Sequence, residues 1–147
     1  MDLWVKNLLR KKLDLEKFQR PNMDIESAIN YLEESQKNGD VLIIASQASK
    51  IIFILRYESP WTAELDLVAD TKGSKKLYVE CKKINDWFWK NYSHVHKLQM
   101  QTTNEKLGTF AEKIGWTKEG IKKESYIDFN TMKYKDEFLY GLINPNH

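Results

Sequence analysis

Apolar residues fall into two rhythms along this chain. From Asp24 onward, Ile25, Ala28, Ile29 and Leu32 recur at i, i+3, i+4 and i+7, the spacing of one helix face. Asp24 is placed to cap that helix, because its carboxylate can accept from the free N–H groups of the first turn. Gly39 is placed to stop it, because glycine enters the left-handed region without a Cβ penalty. The next two runs, DVLIIAS and KIIFILRY, are β-branched and almost continuously apolar. They predict two buried antiparallel strands joined by a tight turn at Gln47-Ala48-Ser49. After Pro60, TAELDLVAD alternates, with Ala63, Leu65 and Leu67 against Glu64, Asp66 and Val68, and predicts a third strand.

The helical rhythm returns after the loop TKGSKK, in which Ser74 is placed to cap the next helix. Leu77, Cys81, Ile84 and Trp87 or Phe88 share one face of that helix, which runs to about Tyr92. HVHKLQMQTT predicts a strand. Asn104 then caps a helix whose inward face is Leu107, Phe110, Ala111 and Ile114, and Gly115 ends it. TKEGIKKESYIDF and KYKDEFLYGLI predict two final strands with a turn around Asn130-Thr131. Residues 1–23 are the least regular part: Leu3, Trp4, Leu8, Leu9, Leu13 and Leu15 fit a strand plus a helix without settling the arrangement, and Pro21 breaks whatever precedes it. The order from Asp24 is helix, three strands, helix, strand, helix, two strands. Antiparallel strands and then a strand–helix–strand crossover predict an α+β fold with a mixed sheet. No repeat, low-complexity segment or linker divides residues 1–147, so a single domain is expected.

Composition narrows the class without naming a function. The chain of 147 residues is 41% hydrophobic and 30% charged, as expected of a globular chain with one core. A formal charge of +2 is too small to point to nucleic acid. The basic segments Arg10–Lys12, KGSKK and Lys122–Lys123 are interleaved with acids and read as solvated faces. No run approaches the ~20 apolar residues of a membrane span, and MDLWVKNLLRKKLD lacks a small-residue cleavage site. The lone Cys81 rules out an internal disulfide and fits a reducing compartment, so a cytoplasmic protein, or one packaged by another assembly, is expected.

Four groups of residues carry candidate chemistry. Glu64 and Asp66 share a strand face, and paired carboxylates on one face are a way to tune a base. His94 and His96 share a face with zinc-like spacing, but no third ligand cluster accompanies them and no metal is expected. Cys81 lies on the apolar face of its helix and reads as a core thiol. Trp87, Phe88 and Trp89 are consecutive, so they cannot all point inward from a helix. Trp87 or Trp89 is therefore expected either to meet the N-terminal segment or to offer a protein-binding surface.

From Ala63 to Leu142, the order of elements and several motifs resemble the GNAT superfamily of acetyl-CoA-dependent N-acyltransferases. AELDLVAD resembles the central strand bearing the family's acidic residue. HVHKLQMQTTN resembles the strand that ends at the asparagine opening the cofactor-side helix. NEKLGTFAEKIGWTKEGIKKES resembles the stretch Asn–helix–Gly-aromatic–x-x-Glu-Gly, and YIDFNTMKYKDEFLYGL the closing hairpin, with Tyr134 and Asp136 in its Lys-Tyr-x-Asp setting. The resemblance implies a GNAT-like sheet, mixed and mostly antiparallel, splayed between its central strands.

It also implies a site. Glu64 matches the family's acidic position and would act as base or water-orienter, with Asp66 beside it and Glu119 a second candidate. Coenzyme A would be held by Val68 on the central strand, by the loop Lys72, Gly73, Ser74, Lys75 and Lys76 before a helix N-terminus, and by Asn104. Two departures stand out. The loop has one glycine where the family pattern has two, and Lys75 takes a glycine position. Seven residues after Asn104, where the family carries a tyrosine that protonates the leaving thiolate, this chain has Ala111. Two functions are therefore expected as alternatives. One is an acetyl-CoA-dependent N-acyltransferase acting on a primary amine. The other is a GNAT-fold protein that has lost catalysis and serves as a structural or binding component, such as a phage internal virion or assembly protein.

Overall fold

The computed structural model describes residues 1–70 and 75–146. The sequence expectation for the elements from Asp24 onward holds in outline. Helix α1 spans Leu3–Lys12 and a short 3-10 turn spans Leu15–Phe18. Helix α2 (Ile25–Lys37) is followed by strands β1 (Val41–Ser46), β2 (Ile51–Ser59) and β3 (Thr62–Ala69). Helix α3 (Lys75–Asn91), β4 (Lys97–Thr102), α4 (Glu105–Lys113), β5 (Thr117–Asp128) and β6 (Lys133–Ile143) complete the chain. The N-terminal segment contains no strand. Leu3, Trp4, Leu8 and Leu9 lie on helix α1, with Val5, Leu8 and Leu9 buried, and Leu15 falls in the 3-10 turn.

The caps form as the residue types dictate. Asp24 Oδ1 accepts from Ser27 N at 2.7 Å and Asn104 Oδ1 from Lys106 N at 3.0 Å. Gly39 and Gly115 follow α2 and α4 with φ of 80° and 101°, values open to glycine and strained for other residues.

The six strands form one sheet in the order β1-β2-β3-β4-β6-β5. Every neighbouring pair is antiparallel except β3 and β4. β2 explains why its run is continuously apolar: it is covered on both faces. Ile51, Phe53 and Leu55 join the cluster built with α3 and α4, whereas Ile52 and Ile54 join Val5, Leu8, Leu9, Ile29 and Leu32 of α1 and α2. β3 divides likewise, with Ala63 and Leu65 on the first side and Val68 on the second.

One expectation is corrected and another is narrowed. β4 starts at Lys97, so His94 and His96 lie before the strand. Other partners hold this segment: His96 N and Lys97 N donate to Trp61 O, and the buried Asn144 donates from its side chain to Val95 O at 3.0 Å. Of the two tryptophans expected to share the outward role, Trp89 is buried, 3% exposed, and Trp87 is the one that faces outward, 47% exposed. Successive helical residues are 100° apart, and the inward face of α3 is wide enough to take Ile84, Asn85, Phe88 and Trp89 together.

Candidate functional site

β3 and β4 are paired over only three rungs, Thr62 with Lys97, Ala63 with Leu98 and Glu64 with Gln99. Beyond Glu64 the two strands have no ladder between them, although β3 continues to Ala69 and β4 to Thr102. On the α1 side this parting opens a cleft of about 420 Å³, within the range of small-molecule sites. Glu64, Asp66 and Leu67 form one lip. Gln101, Thr102 and Asn104 form the other, Asp14, Lys17 and Gln19 descend from the 3-10 turn, and Tyr126 and Glu137 close the far end. The 3-10 turn is held in place by Gln19, whose amide donates to Ile127 O at 3.2 Å and accepts from Ile127 N at 3.0 Å.

Both candidate carboxylates point into this cleft, in the middle of the sheet. Arg56 lies opposite Glu64 in the β2–β3 register, and its guanidinium reaches Glu64 at 3.5 Å and Asp66 at 3.1 Å. Lys17 adds a second cation to Asp66 at 2.9 Å. Asp66 is thus held by two cations and Glu64 by one longer contact. Burial is the largest influence on Glu64 and raises its pKa above the ordinary carboxylate range; Arg56 opposes that shift and Asp66 adds to it.

The opposite side of the parting, against α3 and α4, is nearly closed. Leu65, Leu67, Met100, Leu107 and Phe110 leave a gap of about 20 Å³. Asn85 of α3 also faces this gap, and its buried Oδ1 has no hydrogen-bond partner among the described residues. An unmatched acceptor facing an apolar wedge suits a ligand with an N–H donor, such as an amide of the coenzyme A arm. α3 opens on exposed Lys75 and Lys76 with no acid in its first turn, which suits a phosphate. These residues fit the cofactor in chemistry. Val68 lies on the stretch of β3 that pairs with β2 and has no ladder with β4, with its side chain buried against α1 and α2. Asn104 lines the cleft while capping α4. Lys72, Gly73 and Ser74 lie outside the described residues.

The remaining candidates have structural surroundings. Ala111 is buried in the core. Glu119 pairs with Lys97 at 2.7 Å and lies over Gly141, where a Cβ would come within 2.6 Å of its carboxylate; it sits at the β5–β6 register shift between Lys118 and Gly120 and is not among the residues that line the cleft. Asp136 accepts from Glu124 N at 2.9 Å and pins a ladder irregularity, while Tyr134 is exposed. Cys81 is buried, and burial pushes its thiol up to about 12. Among the described residues, no group of three or more His, Cys, Asp or Glu is arranged to hold a metal ion, and no helix is long and apolar enough to cross a membrane.

Sequence reasoning missed Asp14, Lys17, Gln19, Arg56, Tyr126 and Glu137. For Arg56 the signal was ambiguous: counting outward from Ser59 and Thr62 at the Pro60 turn sets it across from Leu65, and the register shift between Tyr57 and Ser59 moves it to Glu64. The others meet only through long-range folding.

No protein-family model matches the sequence, and no curated protein matches it. Solved structures do. A spermidine N-acetyltransferase from Vibrio cholerae, solved with CoA and spermine, is similar over 98% of this chain and 92% of its own, with a TM-score of 0.75 at 11% identity. A ribosomal-protein-S5-alanine acetyltransferase from Vibrio fischeri is similar over 83% and 72%, with a TM-score of 0.61 at 16% identity. A ribosomal-protein-alanine N-acetyltransferase from Brucella melitensis is similar over 82% and 79%, with a TM-score of 0.61 at 17% identity. This chain has the α+β fold of the GNAT acyltransferases. At these identities the likeness is one of fold.

Proposed function

We propose that this protein transfers an acyl group from an acyl-coenzyme A thioester to an amine in the cleft between β3 and β4. One observation carries the reading: where the strands part, Glu64 stands on the lip of the cleft with a raised pKa, beside an Asp66 already held by Arg56 and Lys17. Acyl-coenzyme A, when bound, would supply the activated thioester. Glu64 would take the proton from the acceptor ammonium, directly or through an ordered water, and so expose the nitrogen lone pair. Asp66, with its two cations, would hold the charge pattern that orients Glu64. Val68, Lys72, Gly73, Ser74, Lys75, Lys76 and Asn104 are the proposed cofactor-side residues. Ala111 has no proton to give, so this chain offers no donor at that position.

The test is calorimetric binding of acetyl-CoA together with release of free thiol over an amine panel. The parent is expected to bind and turn over. Glu64→Gln is expected to bind acetyl-CoA equally and turn over about 10²–10⁴-fold more slowly. The acid limb of kcat/KM is expected above the ordinary carboxylate range, because Glu64 acts only when ionised and its pKa is raised. Absence of binding at millimolar acetyl-CoA overturns the reading. The second reading, a GNAT-fold protein that has lost catalysis, is favoured by the closed gap against α3 and α4 and by Ala111. It predicts that same absence.

A further inference from the structure

The sheet ends on two edges, β1 and β5, and they are built differently. The β5 edge carries Lys118, Glu119, Lys122, Lys123 and Glu124 and shifts register twice against β6. Charge and irregularity of that kind keep an edge from taking up another strand. The β1 edge has neither. Val41 to Ser49 contains no charged residue and no proline, and β1 pairs with β2 without a shift.

The ladder fixes which groups of β1 face outward. Tyr57 N donates to Asp40 O at 3.2 Å, so the hydrogen-bonded pairs of β1 with β2 fall at Leu42, Ile44 and Ser46. Asp70 N donates to Lys50 O at 3.3 Å, which commits the alternate residues of β2 to β3 and agrees with that phase. Val41, Ile43 and Ala45 therefore turn their N–H and C=O groups away from the sheet, and no backbone partner meets them among the described residues. A groove of about 580 Å³ runs along the same edge, lined by Leu42 and Ile44 of β1 and by Ile84 and the exposed Trp87 of α3. The one charged side chain lining it, Lys83, already pairs with Glu80 at 3.5 Å.

A strand laid along this edge must be apolar and uncharged, and β1 itself meets that demand. It is also complementary to itself. With a two-fold axis at Ile43, antiparallel pairing sets Ile43 against Ile43 and Val41 against Ala45 of the second copy, so every outward N–H and C=O of one strand meets its counterpart on the other. Leu42 then faces Ile44 of the second copy on the α3 side, and Asp40 faces Ser46, so no like charges meet across the pair. Such a contact would bury on the order of 1,000 Å² over both copies, the lower bound of a specific interface, which suits a reversible dimer.

We propose that two copies of this chain pair through β1 into a two-fold dimer with one continuous sheet. This dimer does not depend on the acyltransferase reading.

The test is sedimentation velocity of the full chain over about 1–300 µM, where a monomer–dimer equilibrium with a micromolar Kd is expected. Ala45→Pro removes one outward N–H and leaves the β1–β2 ladder its bonds. Trp87→Glu adds a charge to the groove from an exposed helix position and is expected to keep the parent's urea midpoint. Each is expected to weaken the dimer about tenfold or more. Amide exchange at Val41, Ile43 and Ala45 is expected to slow as the dimer fills, while the β5 edge is unaffected. A parent that stays monomeric throughout overturns the proposal. So does a dimer that survives both substitutions, or one that leaves those three amides unprotected. If the chain stays monomeric while an added VLIIAS peptide slows exchange at the same amides, the edge accepts a free strand but not a folded second copy, and the proposal fails.

Discussion

Glu64 and Asp66 are two residues apart on one strand face, and their neighbours give them different work. Two cations hold Asp66, whereas Glu64 has one longer contact and a pKa governed by desolvation. The fold therefore opposes ionisation of Glu64. Stability is expected to fall as pH rises from the ordinary carboxylate range through the raised value, and Glu64→Gln removes that dependence; urea midpoints measured across this interval check it. Gly108 makes a different demand. A Cβ there would lie 2.0 Å from the Tyr140 hydroxyl, and Tyr140 is too buried to swing aside. Gly108→Ala is expected to cost roughly 1–3 kcal/mol in urea unfolding, despite alanine's better helix propensity. The helical spacing showed that residue 108 lies in a helix, but only the packing of β6 against α4 shows why it has no side chain.

At the scale of elements, the β5–β6 hairpin depends on a clamp that its alternation does not reveal. The ladder shifts register between Lys122 and Tyr126, and Glu124 takes a φ of 48° there. Asp136 spans the irregularity by accepting from Glu124 N, the main cause of its lowered pKa, with Lys123 adding a second contact. A lowered pKa means stabilisation that is present above the ordinary aspartate range and lost as pH falls through the depressed value. Asp136→Ala is expected to speed hydrogen exchange at the Glu124 amide near neutral pH and to remove its acid dependence. From Asp24 onward the strands, helices and both helix-ending glycines were legible because period and caps are local, whereas the irregular N-terminal segment left its helix undecided. The burial of Trp89 and the late start of β4 were not, because a wide helix face and the hydrogen bonds of Asn144 and Trp61 O come from residues distant in sequence.

At the scale of the molecule, the sheet has two cores, and the second depends on the N-terminal segment. Leu9 is fully buried among α1, α2 and the lower face of β2. Leu9→Ala is expected to cost roughly 2–5 kcal/mol, measured as a shift of the urea midpoint with an unchanged slope. The same segment carries Asp14, Lys17 and Gln19 to the cleft, so a destabilised α1 is expected to weaken amine binding as well. By itself the sequence determined the element order, the caps, the buried central strands and the shared face of Glu64 and Asp66, because each arises from spacing within a few residues. The tertiary structure alone decided that β3 and β4 part after three rungs, that Arg56 and Lys17 divide themselves unequally between two carboxylates, and that Tyr126 is enclosed by acids from the N-terminal turn and the last hairpin. Those outcomes depend on contacts between residues up to about a hundred positions apart, such as Gln19 with Ile127 at a separation of 108, and local periodicity carries no record of such pairings.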